Sequence, residues 1–229
     1  MILGALLHVG VEETVWRAEL EKLAVPGYDL NITSVVKEGI AGVDVDVVLH
    51  EADAGHGRHL HDIATLLSAS PLSDSVRQRA LGAFTRLAEA EAKIHATTPD
   101  RIHFHEVGAI DAMVDIVGAC IGLEMLGIEK VYASPLPLTR GWVHCAHGQI
   151  PVPAPATLEL LRGFTLRPDE RRKELVTPTG AALLAEWVER APDGTVATVP
   201  PLTVCAVGYG AGKRNTEIPN LLRLILGTV

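Results

Sequence analysis

Two hydrophobic periods interleave along this 229-residue chain, and that interleaving most limits what it can fold into. Val43, Val45, Val47 and Leu49 alternate with Asp44 and Asp46, the period-two pattern of a half-buried strand. Asp29 to Lys37 is a second strand candidate, and Gly39 and Gly42 suit the turn between the two. Ser73 or Asp74 then caps a helical pattern that runs to about Ala96, where Pro99-Asp100 stops it. Its buried stripe is Leu81, Phe84, Ala88, Ala92 and His95.

The same exchange of periods continues in both directions. The chain opens inside an apolar helical pattern, and Val11 to Val25 forms a second helix ended by Pro26-Gly27. Further helices are expected over Asp62 to Ala69, Ile110 to Leu126, Ala156 to Arg162 and Thr179 to Glu189. Strands are expected over Arg101 to Val107, Val131 to Ala133, Trp142 to Ala146, Val204 to Gly208 and Leu221 to Leu226. Interleaved elements of this kind define an α/β protein with a mixed sheet. A seam between two lobes is expected near 135–155, but no composition break marks a linker, so 1–229 reads as one unit.

Composition excludes several classes. Aromatic residues make up 4%, so Ala, Val, Leu and Ile must build the core. The formal charge is -8, and the longest basic run, Arg171-Arg172-Lys173, is flanked by Asp169, Glu170 and Glu174. Nucleic-acid binding is therefore disfavoured. No stretch reaches the roughly 20 apolar residues needed to span a bilayer. Cys120, Cys145 and Cys205 form no CxxC pair, which suits a reducing cytoplasm. Cys120 lies in an apolar helix and is expected in the core.

Histidine is the unusual component. There are ten, and seven fall in three short segments. In His56-Gly-Arg-His59-Leu-His61-Asp62, two glycines flank His56, and an extended backbone would put His59 and His61 on one face. Asp62 would cap the following helix or orient an imidazole. His103-Phe-His105-Glu106 ends a strand with both imidazoles on one side. Asp111 and Asp115 follow at i,i+4 on the next helix. The third segment, His144-Cys145-Ala-His147, combines imidazole and thiolate, a set suited to nickel, zinc or copper. Isolated HxH pairs more often have a core or hydrogen-bonding role, as is expected for His8, His50 and His95. The clusters match neither HExxH nor a zinc-finger spacing. His56, His59, His61, His103, His105 and Glu106 are the metal candidates.

Two stretches are candidate anion sites. Gly208-Tyr-Gly210-Ala-Gly212-Lys213-Arg214 resembles a phosphate loop but lacks both the Walker spacing and the dinucleotide fingerprint. It is read either as an anion cradle using Lys213 and Arg214 or as a plain hairpin loop. Thr177-Pro-Thr179-Gly180 opens a helix, where Thr179 could take a phosphate. Simple N-capping by Thr177 or Thr179 competes with that reading.

Taken in order, these segments resemble a known family. GHGRHLHDI at 55–63, HFHE at 103–106, DAMVD at 111–115 and AHG at 146–148 lead into PVPAPAT at 151–157, LVTPTG at 175–180 and GYGAG at 208–212. Together they resemble the LarC-type nickel-insertion proteins of nickel-pincer cofactor biosynthesis, over essentially the whole chain. The resemblance implies a nickel chelatase, or cyclometallase, of the lyase class. Such an enzyme inserts Ni into pyridinium-3,5-bisthiocarboxylate mononucleotide, making Ni–S bonds and one Ni–C bond for the cofactor of lactate racemase. It also implies CTP with Mn or Mg, bound by a C-terminal domain. Two departures stand out: the strand and Asp- and Gly-containing turn expected before Met1, and the C-terminal CTP domain expected beyond Val229, are absent from the sequence.

Residue chemistry suggests further roles. Asp111 and Asp115 could orient imidazoles, or one could accept the pyridinium proton displaced by the Ni–C bond. Arg58, Thr179, Lys213 and Arg214 could hold phosphate or carboxylate. The expected partners are the C-terminal domain or chain and the mononucleotide, with a homo-oligomer left open. A non-enzymatic nickel chaperone and a metal-dependent hydrolase are the alternatives.

Overall fold

The structure is a computed structural model, and it describes residues 1–50, 58–104, 110–145, 148–216 and 218–229. It is a mixed α/β fold, as the interleaved periods predict. The chain opens with α1 (Ile2–Val9) and α2 (Glu13–Glu21), then forms the hairpin β1 (Tyr28–Lys37) and β2 (Ile40–Leu49). The register pairs Lys37 with Ile40, leaving Glu38 and Gly39 as a two-residue turn, both at positive φ. Gly42 therefore lies inside β2, not in the turn. A Cβ there would come 3.0 Å from the Tyr209 carbonyl oxygen, which accounts for the glycine.

Two short strands, β3 (Arg58–His59) and β4 (His103–Phe104), bracket α3 (Leu60–Ala69) and the long α4 (Asp74–Ile94). Ser73 caps α4, accepting a hydrogen bond from the Val76 amide at 3.1 Å. His95 is exposed just past the end of α4, so it does not belong to the buried stripe. Its backbone has already left helical geometry, and its Nε2 lies 3.4 Å from Glu91. Pro99–Arg101 forms a 3-10 turn, which delays the expected strand until His103.

The α5 helix (Ile110–Met125) is the centre of the core, and twelve of its residues are buried. Trp16 of α2 donates its indole N–H to the Gly118 carbonyl at 2.7 Å inside this core. Gly118 makes room for the indole, because a Cβ there would sit 2.7 Å from a Trp16 ring carbon. Cys120 is fully buried, and burial pushes its thiol pKa up.

The chain continues through β5 (Leu136–Leu138), the hairpin β6 (Trp142–Cys145) and β7 (Gly148–Pro151), and α6 (Pro155–Leu160). It then forms β8 (Leu166–Pro168) and α7 (Pro178–Trp187). Pro155 occupies the first helical turn of α6, where its missing amide costs nothing. The expected strand at Val131 is a single bridge to Val188. The last hairpin, β9 (Thr203–Ala211) and β10 (Leu221–Thr228), joins the first in a sheet of order β1-β2-β9-β10.

Packing against β9 explains the glycine-rich motif. A Cβ on Gly208 would come 2.4 Å from the Ala5 carbonyl oxygen, and one on Gly210 2.6 Å from the Ala5 amide. Gly4 is equally tight against the Val43 carbonyl oxygen, at 2.1 Å. Helix α1 thus lies backbone to backbone across β2 and β9. Gly208 to Ala211 are strand, not loop, because a bare strand surface is what admits the helix. Among the described residues no helix is long and apolar enough to cross a membrane.

Candidate functional site

The β3–β4 pair brings two of the three histidine segments' backbones together. His59 stands opposite His103, and Arg58 opposite Phe104. The two imidazoles meet edge to face with ring centroids 5.0 Å apart. Phe104 points the other way into the core, against Phe84 at 6.3 Å, as period two requires. Both histidines are exposed.

Local hydrogen bonds fix the orientation of His59. It is the N-cap of α3, and its amide donates to Asp62 Oδ2 at 2.9 Å. Asp62 therefore caps the helix. The Nδ1 of His59 lies 2.9 Å from the Ile102 carbonyl oxygen. A carbonyl only accepts, so Nδ1 carries the proton and the neutral ring keeps its lone pair on Nε2. That tautomer and backbone anchor are what a histidine metal ligand needs.

His61 departs from the expected arrangement. The extended backbone ends at His59, and His61 already lies in α3, so the period-two argument for a shared face does not apply. His56, His105 and Glu106, like His147 of the third segment, lie outside the described residues. Among the described residues no three His, Cys, Asp or Glu side chains gather closely enough to hold a metal ion.

Asp111 and Asp115 both lie at the start of α5, but in different environments. Asp111 is exposed, whereas Asp115 is half-buried. Burial pushes the Asp115 carboxyl up to about 6; the α-amino group of Met1 opposes this and the Asp111 charge adds to it.

The anion candidates separate in the same way. Lys213 Nζ is 3.0 Å from both Asp44 and Asp46 of β2. Burial works against its charge, but hydrogen bonds to Asp46 and Asp44 outweigh it and raise its pKa. Lys213 is therefore not an open anion site. Arg214 is exposed, and its carbonyl accepts from the Asn220 side chain at 3.1 Å. Thr177 caps α7 by accepting from the Gly180 amide at 3.2 Å, which leaves Thr179 within the first turn. Arg58 is half-buried next to His59.

The single histidines make the ordinary hydrogen bonds expected of them. His8 Nδ1 accepts from the Tyr209 amide at 3.0 Å, and His50 Nε2 lies 2.9 Å from Asp29.

One location had no motif to announce it. Arg140, Gly141, Trp142 and Arg172 line a cleft of about 470 Å³ at the foot of the β6–β7 hairpin. Arg140-Gly-Trp142 is contiguous in sequence, but Arg172 lies thirty positions beyond Trp142 and joins it only in the fold.

The fold is mixed α/β, with two imidazoles paired where β3 meets β4. Over residues 1–229 the chain matches the family model described as nickel insertion protein, and it belongs to that family. It is 46% identical over 227 residues to a putative nickel insertion protein of Dictyoglomus thermophilum, covering 99% of this chain and 57% of that one. It is 49% identical over 232 residues to a putative nickel insertion protein of Roseiflexus castenholzii, covering 99% and 56%. A third relative, from Desulfitobacterium hafniense, is named pyridinium-3,5-bisthiocarboxylic acid mononucleotide nickel insertion protein. The two are 46% identical over 227 residues, covering 99% and 55%. The chain thus spans a little over half the length of these relatives. No solved structure matches it.

Proposed function

We propose that this chain is the nickel-handling part of an enzyme that inserts Ni into pyridinium-3,5-bisthiocarboxylate mononucleotide. The observation that carries the reading is the His59–His103 pair, with the His59 tautomer set by the Ile102 carbonyl. Neutral imidazole suits nickel, and the incoming ion is a substrate passed to the organic ligand. His56, His61, His105 and Glu106 are proposed to complete the ligand set, each separated from His59 or His103 by only one or two residues of sequence.

The Ni–C bond replaces a ring C–H bond, and the released proton needs an acceptor. A carboxyl at about 6 is well matched to accept it near neutral pH, so Asp115 is assigned that role and Asp111 the role of tuning it. Arg58, Thr179 and Arg214 remain phosphate or carboxylate contacts in this reading.

CTP with Mn or Mg is assigned to a C-terminal domain or chain. Asp44 and Asp46 of β2 are engaged by Lys213. The cytoplasm is the proposed location.

Reconstitution tests the reading. The chain is mixed with its C-terminal domain, CTP, Ni and the pincer precursor, and nickelated product is sought by mass spectrometry. Product supports the chelatase. Ni binding without product points to a nickel chaperone, and turnover of simple phosphoesters without CTP points to a hydrolase.

A further inference from the structure

The cleft at Arg140 is assembled by backbone hydrogen bonds. The parallel pair β5–β8 is prolonged by the Asp169 amide donating to Leu138 at 3.0 Å and the Arg140 amide donating to Arg171 at 3.3 Å. Gly141, at φ 120, then turns the chain against the Arg172 backbone, where a Cβ would lie 3.2 Å away. The Val152 amide donates to the Gly141 carbonyl at 3.1 Å and holds the hairpin in place. These contacts bring Arg140, Trp142 and Arg172 around one opening.

The three side chains differ in how firmly the fold engages them. Arg171, next in sequence, is locked by both Asp169 oxygens at 2.8 and 2.5 Å and does not line the cleft. Arg140 pairs with Glu170, but both partners are well exposed, so that ion pair holds weakly and can be exchanged. Arg172 is exposed. Trp142 is 64% exposed, a large aromatic surface left to solvent in a protein with few aromatics. His144, also exposed, follows two residues later on the same face of β6, about 7 Å along the strand.

We propose that this cleft binds a pyridinium mononucleotide, with the Trp142 indole against the cationic ring and Arg172 and Arg140 on the phosphate. An indole face attracts a delocalised cation, and guanidinium groups bind phosphate through paired N–H donors. The proposal rests on the substrate class proposed above, and it makes the cleft on β6 a first binding place for that substrate, distinct from the reaction site assigned to β3–β4, Arg58, Thr179, Arg214 and Asp115.

The test uses two probes without metal: nicotinamide mononucleotide and its phosphate-free riboside, titrated by calorimetry into the whole chain. The wild type is expected to bind the mononucleotide at least 10-fold more tightly than the riboside. Trp142→Ala should weaken mononucleotide binding about 10-fold, and Trp142→Phe should keep most of it. Arg172→Ala should abolish the preference for the mononucleotide. Circular dichroism checks that each variant folds, and the Phe variant preserves the test if the Ala variant does not. Absence of mononucleotide binding at millimolar concentration overturns the proposal, as does wild-type binding by both Trp142→Ala and Arg172→Ala. Reconstitution separates the two readings. Cleft binding without nickelated product defeats the nickel assignment and leaves the cleft, whereas product from Trp142→Ala at unchanged KM defeats the cleft alone.

Discussion

Gly208 and Gly210 of β9 touch the backbone of another element, whereas His59 and His103 of β3 and β4 touch each other at the surface. The glycines are there because a helix needs the space. The imidazoles fill no core position, and the hydrogen bond from His59 Nδ1 orients a ring whose other nitrogen is left for a ligand. The contrast separates two reasons for a repeated residue type. One contributes mainly to stability, and the other can be lost from the fold at little cost.

The largest effect is expected where backbone meets backbone. Gly208→Ala places a methyl 2.4 Å from the Ala5 carbonyl oxygen and must displace α1. It should cost about 3 kcal/mol or more, measured by urea denaturation. A cost under 1 kcal/mol would break the packing half of the comparison.

The imidazole pair should behave oppositely. His59→Ala combined with His103→Ala should weaken Ni binding about 10- to 100-fold by calorimetric titration, in line with the loss of metal ligands or their supports. Its denaturation midpoint should move little, since both rings are exposed. Wild-type Ni affinity in this variant would remove the strand-end pair from the metal site.

Asp115 tests a residue with a part in both stability and chemistry. Its folded pKa, about 6, is raised above the ordinary 3.8, so the neutral form is favoured in the fold. The stabilising contribution is complete below about pH 3.8 and is lost as pH rises through about 6. Asp115→Asn removes that loss. The variant should therefore gain on the wild type as pH rises from 4 to 6 and hold a gain on the order of 1–3 kcal/mol above it. A constant difference across that window would place the carboxyl in water.

The smallest effect is expected at Lys213, whose side chain is half exposed. Lys213→Ala should change stability by about 0.5 kcal/mol, and less in high salt. A large loss of phosphate binding on this substitution would restore it as an anion contact.

The helices were legible in the sequence because their signals are local. Ser73 and Thr177 cap where capping residues were expected, and the apolar stretch at Ile110 became the buried α5. The glycine-rich stretch was misread because the partner that demands small residues, α1, lies some two hundred positions away. His61 was placed on a strand because nothing in the local pattern shows that His59 is already the cap of α3. The imidazole pair was legible as two segments, and tertiary pairing of β3 with β4 joined them. The Arg140 cleft left no trace, since it exists through hydrogen bonds between segments that sequence periodicity does not connect.

The contact of α1 with β9 also bears on motion. Side chains can adjust rotamers to let an interface loosen by degrees, but two backbones in van der Waals contact have no such slack. The first helix and the last hairpin, at opposite ends of the chain, should therefore open and close as one cooperative unit and protect their amide hydrogens together.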